Sequence, residues 1–168
     1  MTFHLRLTRV LLERVHADLS RPHPHALERV AFISCRQAQL WNGDLELLVQ
    51  DLHPVADDDY EHDATVGAML GASAFRRALQ IAYNAPFSMF HVHRHEHRGT
   101  PGFSNADIRE AHKYVPDFWK VRPGFPHGIL LLSHDSATGL AWNPQTRSPE
   151  KIPRISFVGA PIQEIHSE

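Results

Sequence analysis

The sequence predicts an α/β fold in a single domain, with a central, mostly antiparallel or mixed sheet flanked by helices. Segments with apolar residues at helical spacing alternate along the chain with short apolar runs that suit buried strands. The 168 residues are enough for one core of ordinary size, and no internal repeat or second domain is visible. We therefore assign residues 1–168 to one domain.

The amino-terminal half is predicted to contain three strands and two helices. Residues 4–7 suit a short strand, and residues 10–19 suit a helix because their apolar side chains recur at helical spacing until prolines interrupt the pattern. Two apolar runs, at residues 28–36 and 45–55, predict buried strands. Residues 65–83 carry Ala, Leu, Met and Phe at helical spacing, which predicts an amphipathic helix.

The carboxy-terminal half continues the alternation. Residues 86–93 predict a strand, and residues 95–103 predict a loop because they contain two glycines and a proline. A helix should begin at Ser104 and stop before Pro116, which lacks the backbone N–H that a helix interior needs. The remaining predicted strands are a hairpin pair and one last strand, at residues 127–136, 139–144 and 155–165.

The composition excludes several classes of function. The net charge is −2 and no Lys/Arg block occurs, so we expect no nucleic-acid partner. No apolar run approaches the roughly 18 residues that span a bilayer, and the charged amino terminus does not resemble a signal peptide. The one cysteine, Cys35, lies in an apolar run, which indicates a buried thiol and a reducing, cytoplasmic compartment.

A histidine-rich stretch, FHVHRHEHRGTPGFSNAD at residues 90–107, carries the candidate chemistry. Side chains two apart in a strand share a face, so His91 and His93 would present two imidazoles side by side. Asp107 lies in the first turn of the helix beginning at Ser104, and the loop lets that turn fold back as a third ligand. Two imidazoles and a carboxylate leave one corner of a zinc tetrahedron for water. Ser104 and Asp107 alone would indicate only a helix cap.

The stretch contains more than one possible ligand pair. We favour His91 and His93, because Val92 between them suits a buried strand, whereas the residues between the later histidines are charged and suit solvent. Two alternatives remain, the pairs His93/His95 and His95/His97.

Together with an upstream glutamate, these residues resemble the motif of the JAMM (MPN+/JAB) metalloproteases. That motif is a glutamate, then His-x-His, a short spacer and Ser-x-x-Asp. The matching residues in this chain are Glu28, His91, His93, Ser104 and Asp107. The resemblance covers roughly residues 5–142 and follows the family's order of elements. It departs in the spacer, whose ten residues between His93 and Ser104 exceed the family's usual length, although extra loop length costs little entropy.

The resemblance implies a zinc-dependent peptidase or isopeptidase. His91, His93 and Asp107 would hold Zn²⁺, which acidifies a water molecule and polarises the scissile carbonyl. Glu28 would act as general base and return the proton to the leaving amine. Ser104 would donate a hydrogen bond to the developing oxyanion and is not expected to be a nucleophile.

The same resemblance implies a substrate. It is an amide or isopeptide bond after the carboxy-terminal tail of a ubiquitin-like protein. The compact form is similar to bacterial JAMM proteins encoded beside ubiquitin-like, E1-like and E2-like partners, some of which act in defence against phage. Three alternatives remain: a JAMM hydrolase acting on a sulfur-carrier conjugate or a small peptide amide, a non-catalytic MPN scaffold for protein assembly, and a cupin-like metal enzyme, since His-x-His followed by glutamate resembles that family.

Overall fold

The computed structural model describes residues 1–63, 65–159 and 163–166, the last four by their backbone alone. Within these residues the chain forms three α-helices, α1 (Arg9–Leu19), α2 (Ala72–Asn84) and α3 (Asn105–Val121). It also forms eleven strands: β1 (Phe3–Thr8), β2 (Val30–Gln39), β3 (Leu45–Pro54), β4 (Tyr60–Glu61), β5 (Met69–Leu70), β6 (Ser88–Arg94), β7 (His127–Leu132), β8 (Ala137–Trp142), β9 (Pro149–Lys151), β10 (Arg154–Val158) and β11 (Gln163–His166).

Nine of these strands form one mixed sheet, which confirms the predicted fold class. Their order is β11-β10-β1-β3-β2-β6-β7-β8-β9, while β4 and β5 pair separately as a two-stranded ribbon. The pairs β1–β10, β1–β3 and β6–β7 are parallel, and the other neighbours in the sheet are antiparallel. Strand β6 therefore lies in the sheet interior, between β2 and β7.

Helices cover both faces of the sheet. On one face, α1 buries Leu11, Val15 and Leu19, whose helical spacing had predicted this helix, against the sheet. On the other face, α2 and α3 pack against the sheet through residues such as Ala78 and Phe118. None of the helices in the described part of the chain has the length and apolar character needed to cross a bilayer.

The helix predicted at residues 65–83 begins only at Ala72, so its first seven positions were wrongly predicted. Met69–Leu70 pair instead with Tyr60–Glu61 as the β4–β5 ribbon. The N–H of Gly71 then donates to the Asp59 carbonyl at 2.8 Å, and Gly71 is the N-cap residue of α2. A pairing with residues about ten positions upstream thus overrides the local helical pattern.

Two further predictions need correction. Helix α3 continues through Pro116 to Val121, because Pro116 lies on the exposed side of the helix while Val115 and Phe118 continue its buried side. Water can hydrate the carbonyl that the proline leaves without a donor. The last predicted strand is two antiparallel strands, β10 and β11, and part of the segment between them lies outside the described residues.

A buried histidine, His127, joins β7 to its neighbours. Its Nδ1 accepts the backbone N–H of Met89 at 3.0 Å, and its ring stacks on Phe118 with the centroids 5.1 Å apart. Burial lowers the pKa of His127 to about 3, so the ring is neutral at ordinary pH. Neutrality lets Nδ1 act as an acceptor, as the bond to Met89 requires.

We expect acid to destabilise the fold through His127. Below about pH 6.5 the unfolded chain takes up a proton at this residue, whereas the folded chain does so only near pH 3. The stability that the depressed pKa confers is therefore present above pH 6.5 and declines as the pH falls towards 3, by about 1.4 kcal/mol per pH unit.

The variant His127→Asn keeps a carbonyl acceptor near the Nδ1 position but has no titrating group. Urea unfolding at several pH values from about 7 to about 4.5 gives the free energy of unfolding of each protein. This free energy should fall less steeply with pH in the variant than in the parent protein. The difference in slope should correspond to the uptake of roughly one proton fewer on unfolding. Parallel declines in the two proteins would show that His127 is not protonated differently on unfolding.

Candidate metal centre

The pairing of β2 with β6 determines which side chains meet at the end of these strands. The two strands are antiparallel, with Val30 opposite His93 and Phe32 opposite His91. Cross-strand partners point to the same face of a sheet. Glu28 and His95 lie two positions beyond the Val30–His93 pair, just outside β2 and β6.

These residues form a compact group of potential metal ligands. Ligand atoms of Glu28, His93 and His95 all lie within 4.8 Å of one another, and no other group of three does so among the residues that the structure describes. Ligands about 2.0–2.1 Å from a tetrahedral zinc ion lie roughly 3.3 Å apart, so small side-chain rotations suffice to close the group around a cation.

The first turn of α3 places Asp107 beside His93, although Asp107 itself lies outside the compact group of Glu28, His93 and His95. Ser104 and Asp107 form a capping box, in which Asp107 Oδ2 accepts the Ser104 N–H at 2.7 Å and Ser104 Oγ accepts the Asp107 N–H at 3.1 Å. The other carboxylate oxygen, Oδ1, lies 3.4 Å from His93 Nε2. The cap and the site are therefore compatible, since each uses a different oxygen of Asp107.

The side chain of His93 has the environment expected of a metal ligand. It is 3% exposed, and neither ring nitrogen has a hydrogen-bond partner. A buried polar atom without a partner destabilises a fold by about 1–3 kcal/mol, and a cation held between His93 and Asp107 would satisfy both side chains. The donor atoms of this group fit a divalent metal ion.

Asp107 is negatively charged in this setting. Burial alone would raise its pKa, but the neighbouring His93 and the N–H of Ser104 outweigh burial and hold the pKa of Asp107 well below its usual range. The carboxylate is thus available as a ligand throughout the physiological pH range.

His91, which we had favoured as a ligand, lies one step deeper in the strand. Its ring contacts those of His93 and Phe32, each with centroids 5.6 Å away, and that of Tyr114 at 5.7 Å. Enclosure of the ring, together with the nearby His93, lowers the pKa of His91 to about 3. His91 does not belong to the compact group, so the geometry favours the alternative pair His93/His95.

The reason that the sequence pointed to His91 lies in Arg94. We took this charged residue, between His93 and His95, as a sign of solvent. Its side chain is only 10% exposed, on the opposite face of the strand, where it bonds to Ser20 Oγ at 2.9 Å and to Glu96 Oε1. The spacer length is the sequence signal that favours the pair His93/His95, because His95 lies closer to Ser104 than His93 does.

Comparison with known proteins gives no further guide. No protein-family model matches this chain, and no curated protein matches it. The resemblance to the JAMM family therefore rests on the motif residues of the sequence alone.

Alanine substitutions should identify the ligand pair. We expect His93→Ala and His95→Ala to lose the bound metal, because each removes one of three protein ligands. His91→Ala should retain it, and His97→Ala, in the exposed loop, serves as the matched control. Elemental analysis of protein purified without added metal gives the metal content of each variant.

The opposite pattern is equally informative. A metal-free His91→Ala variant beside a fully loaded His95→Ala variant would establish His91 and His93 as the ligands. Glu28, Ser104 and Asp107 would keep their places in the site in either case.

Proposed function

We propose that this protein is a zinc-dependent isopeptidase or peptidase of the JAMM type, which cleaves the bond after the carboxy-terminal tail of a ubiquitin-like protein. One observation carries the proposal: Glu28, His93 and His95 place their ligand atoms within 4.8 Å of one another, with Asp107 beside His93. These are four of the five residues that the motif requires, in the order glutamate, His-x-His and aspartate.

The donor set favours zinc. Two imidazole nitrogens from His93 and His95 and one carboxylate oxygen from Asp107 are the ligand types of catalytic zinc sites, and they leave a fourth position for the reaction. When bound there, zinc would supply a Lewis acid that acidifies water and polarises the scissile carbonyl. The burial of His93 keeps bulk water from one side of the site.

Glu28 is then the general base. It is partly exposed, two residues before β2 begins, so its carboxylate can reach both a water molecule and the substrate. It would take a proton from the attacking water and pass it to the leaving amine. Proton transfer by a positioned side chain typically contributes about 10²–10⁴-fold to the rate.

Ser104 can stabilise the negative charge that develops on the carbonyl oxygen. Its Oγ accepts the N–H of Asp107, which leaves the hydroxyl hydrogen free to donate to the substrate. Such a donor typically contributes about 3–4 kcal/mol to transition-state stabilisation. The capping box holds the hydroxyl beside the Asp107 carboxylate, so the donor and the metal ligand keep a fixed separation.

The choice of substrate rests on the sequence resemblance. It supports processing of a ubiquitin-like precursor or removal of a ubiquitin-like protein from its conjugates, together with E1-like and E2-like partners. A hydrolase for a sulfur-carrier conjugate or a peptide amide would use the same site. A non-catalytic MPN scaffold would bind its partners without hydrolysis, so activity separates it from the enzyme.

The variant Glu28→Gln tests the mechanism. We expect it to keep its fold and its zinc but to lose hydrolysis by a factor of 10² or more, because the amide cannot accept a proton. The assay follows release of a fluorophore joined by an amide bond to the tail of a candidate ubiquitin-like protein. A chelator should abolish the activity, and added zinc should restore it.

The matched control is Glu110→Gln, an exposed carboxylate on α3 that pairs with Lys113. It should hydrolyse the substrate at the parental rate. Parental activity of Glu28→Gln would remove this residue from the mechanism. If the zinc-loaded parent protein cleaves none of these substrates, the result would favour the non-catalytic MPN scaffold instead.

A further inference from the structure

The carboxylate of Glu28 lies directly against the backbone of Gly67. A Cβ atom added at Gly67 would lie 2.7 Å from both Cδ and Oε2 of Glu28, and 3.2 Å from its Cγ. Real Cβ atoms do not approach other atoms so closely. Any side chain at position 67 would therefore displace the Glu28 carboxylate from its present place.

The backbone conformation does not explain this glycine. Gly43 and Gly99 both have a φ of 86°, in the region that favours glycine, whereas Gly67 has no such positive φ. An alanine could adopt the conformation of Gly67 without strain. The atoms that a side chain at this position would meet first are those of the Glu28 carboxylate.

Hydrogen bonds hold the two segments together. The Gly67 carbonyl accepts the N–H of Leu27 at 2.8 Å and that of Glu28 at 3.0 Å. On the other side of Glu28, the Tyr60 hydroxyl accepts the Val30 N–H at 2.9 Å and lies 3.2 Å from the Val30 carbonyl, to which it donates. Because Tyr60 belongs to the β4–β5 ribbon, the ribbon and its connection are tied to the chain on both sides of Glu28.

We propose that Gly67 is a positioning residue that holds the Glu28 carboxylate beside His93 and His95. This inference rests on the proposed function, because it concerns how Glu28 serves as a base. The double hydrogen bond fixes where Gly67 lies, and its missing side chain leaves one space for the carboxylate. A glutamate side chain has three rotatable bonds. Without the contact with Gly67, the carboxylate would occupy the required position for only part of the time.

The test is the variant Gly67→Ala. We expect the Glu28 side chain to rotate so that its carboxylate moves away from residue 67. This rotation should cost little stability, because the carboxylate is the free end of a flexible side chain. The melting temperature and the zinc content should therefore match those of the parent protein, while kcat/KM for the fluorophore substrate falls by about 10². The control is Gly124→Ala, whose Cβ would meet nothing within 4 Å, and which should behave as the parent does.

A double variant separates positioning from other effects. If Gly67 acts through Glu28, then adding Gly67→Ala to Glu28→Gln should lower the remaining activity little further. A readout without substrate is the visible absorption spectrum of the Co²⁺-loaded protein. Gly67→Ala and Glu28→Gln should change that spectrum in the same way, because both alter the group beside the ligands, and Gly124→Ala should not change it.

The outcomes distinguish the two proposals. Parental activity of Glu28→Gln would overturn the proposed base and, with it, the role of Gly67. Loss of activity in Glu28→Gln but not in Gly67→Ala would overturn the positioning role alone. An equal loss from Gly67→Ala in both backgrounds, or loss of zinc from that variant, would also overturn it.

Discussion

The register between β2 and β6 is the constraint on which the candidate site depends. Val30 faces His93 across the two strands, and a slip of one residue would turn His93 to the opposite face, towards α1. The core fixes this register, because Ile33 is buried on the α1 side of β2 while Phe32 is buried on the side of α2 and α3. The burial of alternate β2 residues on opposite faces therefore fixes the register, and the register places Glu28 near the histidines.

A second constraint is the position of the first turn of α3. The capping box with Ser104 fixes one oxygen of Asp107 and directs the other at His93. The helix can hold this turn in place because its buried side continues beyond Pro116, where Phe118 and Trp119 add apolar contacts. A cap motif and a ligand motif are often treated as competing interpretations of Ser-x-x-Asp. Here the two carboxylate oxygens allow both.

The sequence predicted what depends on local pattern and failed where distant pairing decides. The fold class, the strand that carries the histidines and the helix beginning at Ser104 follow from residue spacing. The start of α2 does not, because Met69–Leu70 pair with Tyr60–Glu61 across a loop. The burial of Arg94 also does not follow from spacing, because this side chain bonds to Ser20 at the end of α1, a contact 74 positions away in the chain. Charge between two histidines was therefore a poor indicator of solvent.

Two buried histidines differ in how the chain satisfies their ring nitrogens. His127 is fully buried with Nδ1 accepting the Met89 N–H, and its Nε2 lies 3.4 Å from the Arg122 carbonyl, so its polar atoms are paired within the chain. His93 is nearly as buried, yet both its nitrogens have no hydrogen-bond partner and a carboxylate lies beside one of them. A cation held between His93 and Asp107 would offset the cost of these unsatisfied ring nitrogens, and it would couple metal binding to the stability of the folded chain.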